Sequence, residues 1–227
     1  MTDWTLDQQP LRELNQALHD LRDEDCPRTI HVREPRGAHA IACGLKVPAR
    51  VEIHGHVGYY CAGMNQQAAV FIHGNAGTGL AENMMSGLVW LKGNASQSAA
   101  ATAHGGTLII EGNAGARCGI SLKGANIVVK GSVGHMSAFM AQTGCLVICG
   151  DAGDALGDSI YEARLYVRGK VNSLGADCVE KEMRPEHLAE LTALLETAHC
   201  EDRPEDFRRY GSARKLYHFH VDHASSY

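Results

Sequence analysis

No apolar run in the 227-residue chain is long enough to cross a bilayer as a helix. The polar start "MTDWTLDQQP" also lacks the apolar core of a secretory signal. Together these absences predict a soluble, cytoplasmic protein that meets no membrane. Basic residues do not outnumber acidic ones: the formal charge is −5, with no cationic cluster. A nucleic-acid partner is therefore not expected. Among Cys26, Cys43, Cys61, Cys118, Cys145, Cys149, Cys178 and Cys200, no pair has the two-residue spacing of a zinc ribbon or an iron–sulfur motif. Scattered thiols of this kind are expected to serve as small buried hydrophobes.

Glycine is present in plenty and in order. Gly55, Gly74, Gly93, Gly112, Gly131, Gly150 and Gly169 are each 19 residues apart. Each follows a short β-type run, from "VEIH", "VFIH" and "VWLK" to "LIIE", "IVVK", "LVIC" and "LYVR". One strand per fixed period of this length is the mark of a solenoid. Three positions after most markers stands a second glycine, with Ser96 and Asn172 as exceptions; seven positions after every marker, and thirteen after the first six, stand alanine or glycine. Small residues at fixed phases suit tight corners and close stacking of coils.

Alternation splits each run into two faces. One face is aliphatic throughout: Val51 and Ile53, Val70 and Ile72, Val89 and Leu91, and so on to Leu165 and Val167. Stacked, these residues would fill the inside of an all-β, right-handed parallel β-helix of about seven coils, roughly 34 Å long. The other face carries a row of Glu52, Phe71, Trp90, Ile109, Val128, Val147 and Tyr166. So apolar a row implies a cover, either the chain's own flanks or another protein. Phe71, Trp90 and Tyr166 are the candidate contact residues; were a partner the cover, Trp90→Asp would weaken assembly and leave the fold intact.

Three segments are expected. Residues 1–28 form a helical flank with Leu11, Leu14, Leu18 and Leu21 on one face, and residues 29–180 form the β-helix. Residues 181–227 form a helix starting at Pro185, with Leu188, Leu191, Leu195 and Ala198 on one face, then an extended tail. Such flanks would cap the open edges of the coil stack.

Chemistry is harder to find. "GNAGTG" at 74–79 imitates a phosphate loop but recurs at a corner phase, without the lysine and hydroxyl residue such loops end in. His54 and His73 lie on adjacent coils; His218, His220 and His223 surround Asp222. Either group could hold a metal, though interface histidines are commoner than sites. Cys118 beside Arg117 has no assignable base, and Thr2 is an unsupported N-terminal nucleophile. The residues predict no catalytic, cofactor-binding or metal site.

The coils over 50–178 resemble the C-terminal β-helix (GXGXG) domain of glutamate synthase large subunits, a domain shared with one of the subunits of formylmethanofuran dehydrogenase. "GHVGYYCAGMNQQ", "GHMSAFMAQTG", "GDSIYEARLYVRG", "SLGADCVEKEMRPEH" and "RRYGSARKLY" resemble the stand-alone glutamate-synthase-like subunit of N-methylglutamate synthase. The resemblance implies a non-catalytic scaffold in a hetero-oligomer that makes N-methylglutamate from glutamate and methylamine. It also implies two partners, a glutaminase-like subunit and a synthase subunit bearing FMN and an iron–sulfur cluster. The same fold could serve an ordinary glutamate synthase or a formyltransferase complex. An autonomous β-helix enzyme or glycan-binding module is the reading from another class.

Overall fold

The computed structural model describes residues 2–26 and 28–216. Strand β1 (Thr2–Thr5) is followed by helix α1 (Leu11–His19) and strand β2 (Thr29–Arg33). The stacked strands are then β3 (Arg50–His54), β4 (Ala69–Ile72), β5 (Leu88–Leu91), β6 (Thr107–Ile110), β7 (Lys123–Val129), β8 (Thr143–Ile148) and β9 (Arg164–Val167). After them come β10 (Cys178–Lys181), helix α2 (Pro185–Thr197) and β11 (Arg208–Ser212). All strands join one sheet in the order β1 to β9, then β11, then β10. The fold is the all-β parallel β-helix that the 19-residue period predicts.

Pairing from β3 to β9 keeps the expected register: Val51 opposes Val70, Val70 opposes Val89, and the series runs on to Leu146 opposite Leu165. All fourteen inward aliphatic residues are fully buried. Each contributes roughly 1.5–3 kcal/mol before ordering entropy is subtracted. One further coil precedes the seven markers. Ile30 pairs with Val51 across a 21-residue step, and Glu34, at a φ of 52°, stands in the glycine slot.

The corner explains the repeated "GNAG". The residue after each marker glycine reaches along the stack to the next coil. Asn94, Asn113 and Ser132 each donate their backbone N–H to the side-chain oxygen of Asn75, Asn94 and Asn113 respectively, at 2.8 Å. Asp151 and Lys170 continue the ladder to Ser132 Oγ at 2.9 Å and Asp151 Oδ1 at 2.7 Å. The marker glycines leave room for these oxygens. A Cβ on Gly93 would lie 2.5 Å from the Gly74 carbonyl oxygen and would also strike Asn75 Oδ1.

Several of the residues seven positions after a marker take left-handed backbone. Ala62, Ala81, Ala100 and Ala138 take φ between 53° and 56° and are fully buried. Left-handed backbone costs an ordinary residue roughly 1–2 kcal/mol. Coil-to-coil hydrogen bonds offset it: Ala62 donates to the Ile41 carbonyl behind at 2.9 Å, and Met64 to the Glu82 carbonyl ahead at 2.8 Å.

Both ends are closed. On α1, Leu14 and Leu18 are buried against the first coil. Asn15 answers that coil's open backbone, donating from Nδ2 to the Ala40 carbonyl (2.9 Å) and accepting from the Ala42 N–H (3.0 Å). At the far end β11 pairs antiparallel with β9 and β10. The segment before residue 29 is thus not only helical, since β1 pairs with β2.

The apolar outer row is covered by the chain itself. Leu191, Leu194 and Leu195 of α2, with its C-cap Ala198 and Phe207, form a second core with Trp90, Ile109, Val128, Val147 and Tyr166. The expected contact surface is corrected accordingly. Tyr166 is fully buried and Trp90 only 7% exposed, so neither can meet a partner; Phe71 alone stays half-buried at the margin.

Candidate functional site

Charge gathers where α2 meets the C-terminal strands. Arg164, at the start of β9, forks onto Glu190 of α2, Nε to Oε2 at 2.8 Å and Nη2 to Oε1 at 2.7 Å. Tyr166 donates its hydroxyl to Glu190 Oε2 at 2.6 Å. Burial by itself would raise the Glu190 carboxyl, but the hydrogen bonds from Arg164 and Tyr166 outweigh it and hold the group below the usual range. Burial, then the bond to Glu190, pushes the Tyr166 phenol up, so it stays a proton donor. The triad fixes α2 on the sheet.

Beside it opens a cavity of about 490 Å³ lined by Arg164, Lys181, Arg184, His187, Arg209 and Arg214, among others. Arg209 donates to the Glu182 carbonyl oxygen at 2.9 Å. Its guanidinium is held below its usual pKa by burial and by repulsion from Arg184 and Arg164, with Tyr166 opposing. Carboxylates answer most of these cations: Arg164 is paired with Glu190, Arg184 with Glu182 and Glu186, and Arg214 with Glu162, which also lines the recess. Sequence reading did not find it, although Arg184 of "RPEH" and Arg209 and Arg214 of "RRYGSAR" line it.

The predicted histidine neighbours do meet. His54 and His73 stack with ring centroids 5.0 Å apart, and His31, from the coil not anticipated, stacks on His54 at 5.3 Å. Their nitrogens serve one another and Glu52: His31 Nδ1 lies 3.0 Å from His54 Nε2, and His73 Nε2 lies 2.6 Å from Glu52 Oε2. Glu52 is also bound by Arg50 Nε at 2.7 Å.

Burial, then the charges of His73, Arg33 and His31, lowers the His54 pKa from 6.5, with Glu52 opposing. A histidine with a depressed folded pKa binds protons more readily when unfolded. Stability is therefore complete above the unfolded value and declines as pH falls through 6.5 toward the folded value. Urea midpoints are expected to fall between about pH 7 and 5.5, and to fall less in His54→Gln. His187, lowered in the same direction, supplies part of what remains. An identical decline in the variant would show that the stack does not control this step.

The other sequence candidates are spent or sealed. The backbone N–H groups of "GNAGTG" go to neighbouring coils, Ala76 to the Asn94 carbonyl at 2.9 Å, Gly77 to Val57 at 3.0 Å and Gly79 to Gln97 at 3.1 Å. The loop is a corner. Cys118 is fully buried, and burial pushes its thiol up to about 12, which suits a small buried hydrophobe and not a nucleophile. Thr2 begins β1. His218, His220, His223 and Asp222 lie outside the described residues.

The fold is thus a parallel β-solenoid with one outer face covered by its own helix and an arginine-lined recess at one end. No protein-family model matches the chain. It is 61% identical over 219 residues, 96% of each chain, to Protein GlxC of Rhizobium meliloti (strain 1021). The chain belongs to the GlxC family. No helix among the described residues is long and apolar enough to cross a membrane.

Proposed function

We propose that this chain is the non-catalytic structural subunit of a glutamate-synthase-like complex, N-methylglutamate synthase, acting in the cytoplasm. It would hold a glutaminase-like subunit against an FMN- and iron–sulfur-bearing synthase subunit, fixing two active sites so that a labile intermediate is not lost to water. The segment resemblances supply the identity of the complex. The observation that carries the scaffold role is exposed apolar surface outside the core that α2 covers. The stretches between corner and next strand expose Tyr59 (59%), Met64 (45%), Met85 (47%) and Met140 (40%). Large apolar side chains held out in water on a rigid rod suit a protein contact. Two of the stretches, "GHVGYYCAGMNQQ" and "GHMSAFMAQTG", are among those that carry the resemblance.

The test is purification of the tagged chain from its own host, with mass analysis of co-eluting polypeptides and a flavin absorption scan. Co-elution with a glutaminase-like and a flavin-bearing chain is expected, and its loss in Tyr59→Ser/Met64→Asp with the circular dichroism unchanged. A colourless chain eluting alone would overturn the reading.

A further inference from the structure

Cys149 follows β8, and Cys200 and Asp202 lie in the segment after α2, some fifty positions later in the chain. Folding brings their ligand atoms within 4.8 Å of one another. The two sulfurs are 3.7 Å apart, and Cys200 Sγ lies 3.4 Å from Asp202 Oδ2. Zinc binds thiolate sulfur at about 2.3 Å and carboxylate oxygen at about 2.0–2.2 Å, so the edges of its tetrahedron are about 3.8 Å for sulfur–sulfur and about 3.5 Å for sulfur–oxygen. The observed separations match both.

We propose that Cys149, Cys200 and Asp202 form a binding site for one zinc-type divalent cation, fastening the segment after α2 to the sheet. Cys200 and Asp202 remain partly exposed, which leaves water for the fourth corner. Arg168 completes the arrangement, donating from Nε to the Cys149 carbonyl oxygen and from Nη1 to Asp202 Oδ1, both at 2.7 Å. That leaves Asp202 Oδ2 for the metal. Binding releases two thiol protons to solvent; two thiolates and one carboxylate then balance the dication and the guanidinium, and the site is neutral.

The experiment is titration of the full chain, reduced and metal-stripped, with Co(II) and then Zn(II). One equivalent of Co(II) should give the near-ultraviolet thiolate charge-transfer band and the visible bands of tetrahedral cobalt, and Zn(II) should erase both. Cys26→Ser should bind as the wild type does. Loss of an outer-sphere partner alone weakens metal sites about 10–100-fold, so Cys200→Ser should lose at least about 100-fold in affinity, together with the bands. Asp202→Asn, at a partly exposed position, should keep the charge-transfer band and bind about tenfold more weakly. It decides the matter should Cys200→Ser fail to fold. Absence of the bands at one equivalent, their persistence in Cys200→Ser, or unchanged affinity in Asp202→Asn would overturn the site. So would a Cys149–Cys200 disulfide as the resting form in peptide mass analysis of chain isolated from its host with thiols blocked.

Discussion

Leu191→Asp is expected to strip α2 from the sheet and leave the coils standing. Leu191 is fully buried between α2 and the outer row of Ile109, Val128, Val147 and Tyr166. Removing such a side chain costs about 2–5 kcal/mol, and an unpartnered buried carboxylate adds to that. Once undocked, the 13 residues of α2 are near the length below which a helix is marginal in water, so the segment unfolds. The inward ladder belongs to a separate core and loses nothing directly. Hydrogen exchange should therefore show amides 188–198 losing roughly a thousandfold in protection, while Val89–Leu91 and Leu108–Ile110 keep theirs. The newly bared row should bind a hydrophobic dye. Trp90→Asp should act in the same direction, because it sets a second carboxylate where the indole now donates to Glu111 at 2.9 Å. Equal loss of protection in coils and helix would mean that the two cores unfold as one unit.

Gly93→Val should be strongly damaging at its corner. The added Cβ meets backbone, at 2.5 Å from the Gly74 oxygen and 2.9 Å from its carbonyl carbon, so no flexible side chain can yield. Ordinary overpacking costs about 1–3 kcal/mol, and a clash between backbones should exceed about 3 kcal/mol. For a chain of this size that lowers Tm by about 10 °C. Gly37→Ala separates the two uses of glycine. Gly37 has a φ of +73° but nothing within 4 Å of its would-be Cβ, so only the left-handed cost of about 1–2 kcal/mol applies. Comparable melting shifts in the two variants would mean that coil spacing is not what the marker glycines protect.

The coil stack is legible in sequence because its interior repeats both in phase and in chemistry, as Val70, Val89 and Leu108 do. The side-chain ladder repeats in phase alone. His56, Asn75, Asn94, Asn113, Ser132 and Asp151 share a position and an accepting role but range over histidine, asparagine, serine and aspartate. The left-handed positions are harder still to see, since Tyr60, Ser98, Arg117 and Met136 have nothing in common but their φ. The coil at β2 escapes a search for glycine every 19 residues because its step is longer and its corner residue is Glu34. The outer row announces that it must be covered. Nothing periodic says that α2 is the cover, because the fit of Leu191 and Leu195 to Val128 and Tyr166 exists only in space. The same is true of the arginine-lined recess, whose arginines come from β9, the loop before α2, and β11 with its exit.

The side-chain ladder also sets a rule for how such a molecule can change over descent. Each corner oxygen must find an amide one coil away and each marker glycine must face the next, so residues can be gained or lost within the stack only as whole turns. An inserted turn would push the Asn15-capped end and the arginine-lined end about 4.8 Å further apart and leave both intact. A gain of any other length would have to bulge out of a corner or break the ladder. The separation of the two ends is thus quantised, and relatives should differ in reach by integers.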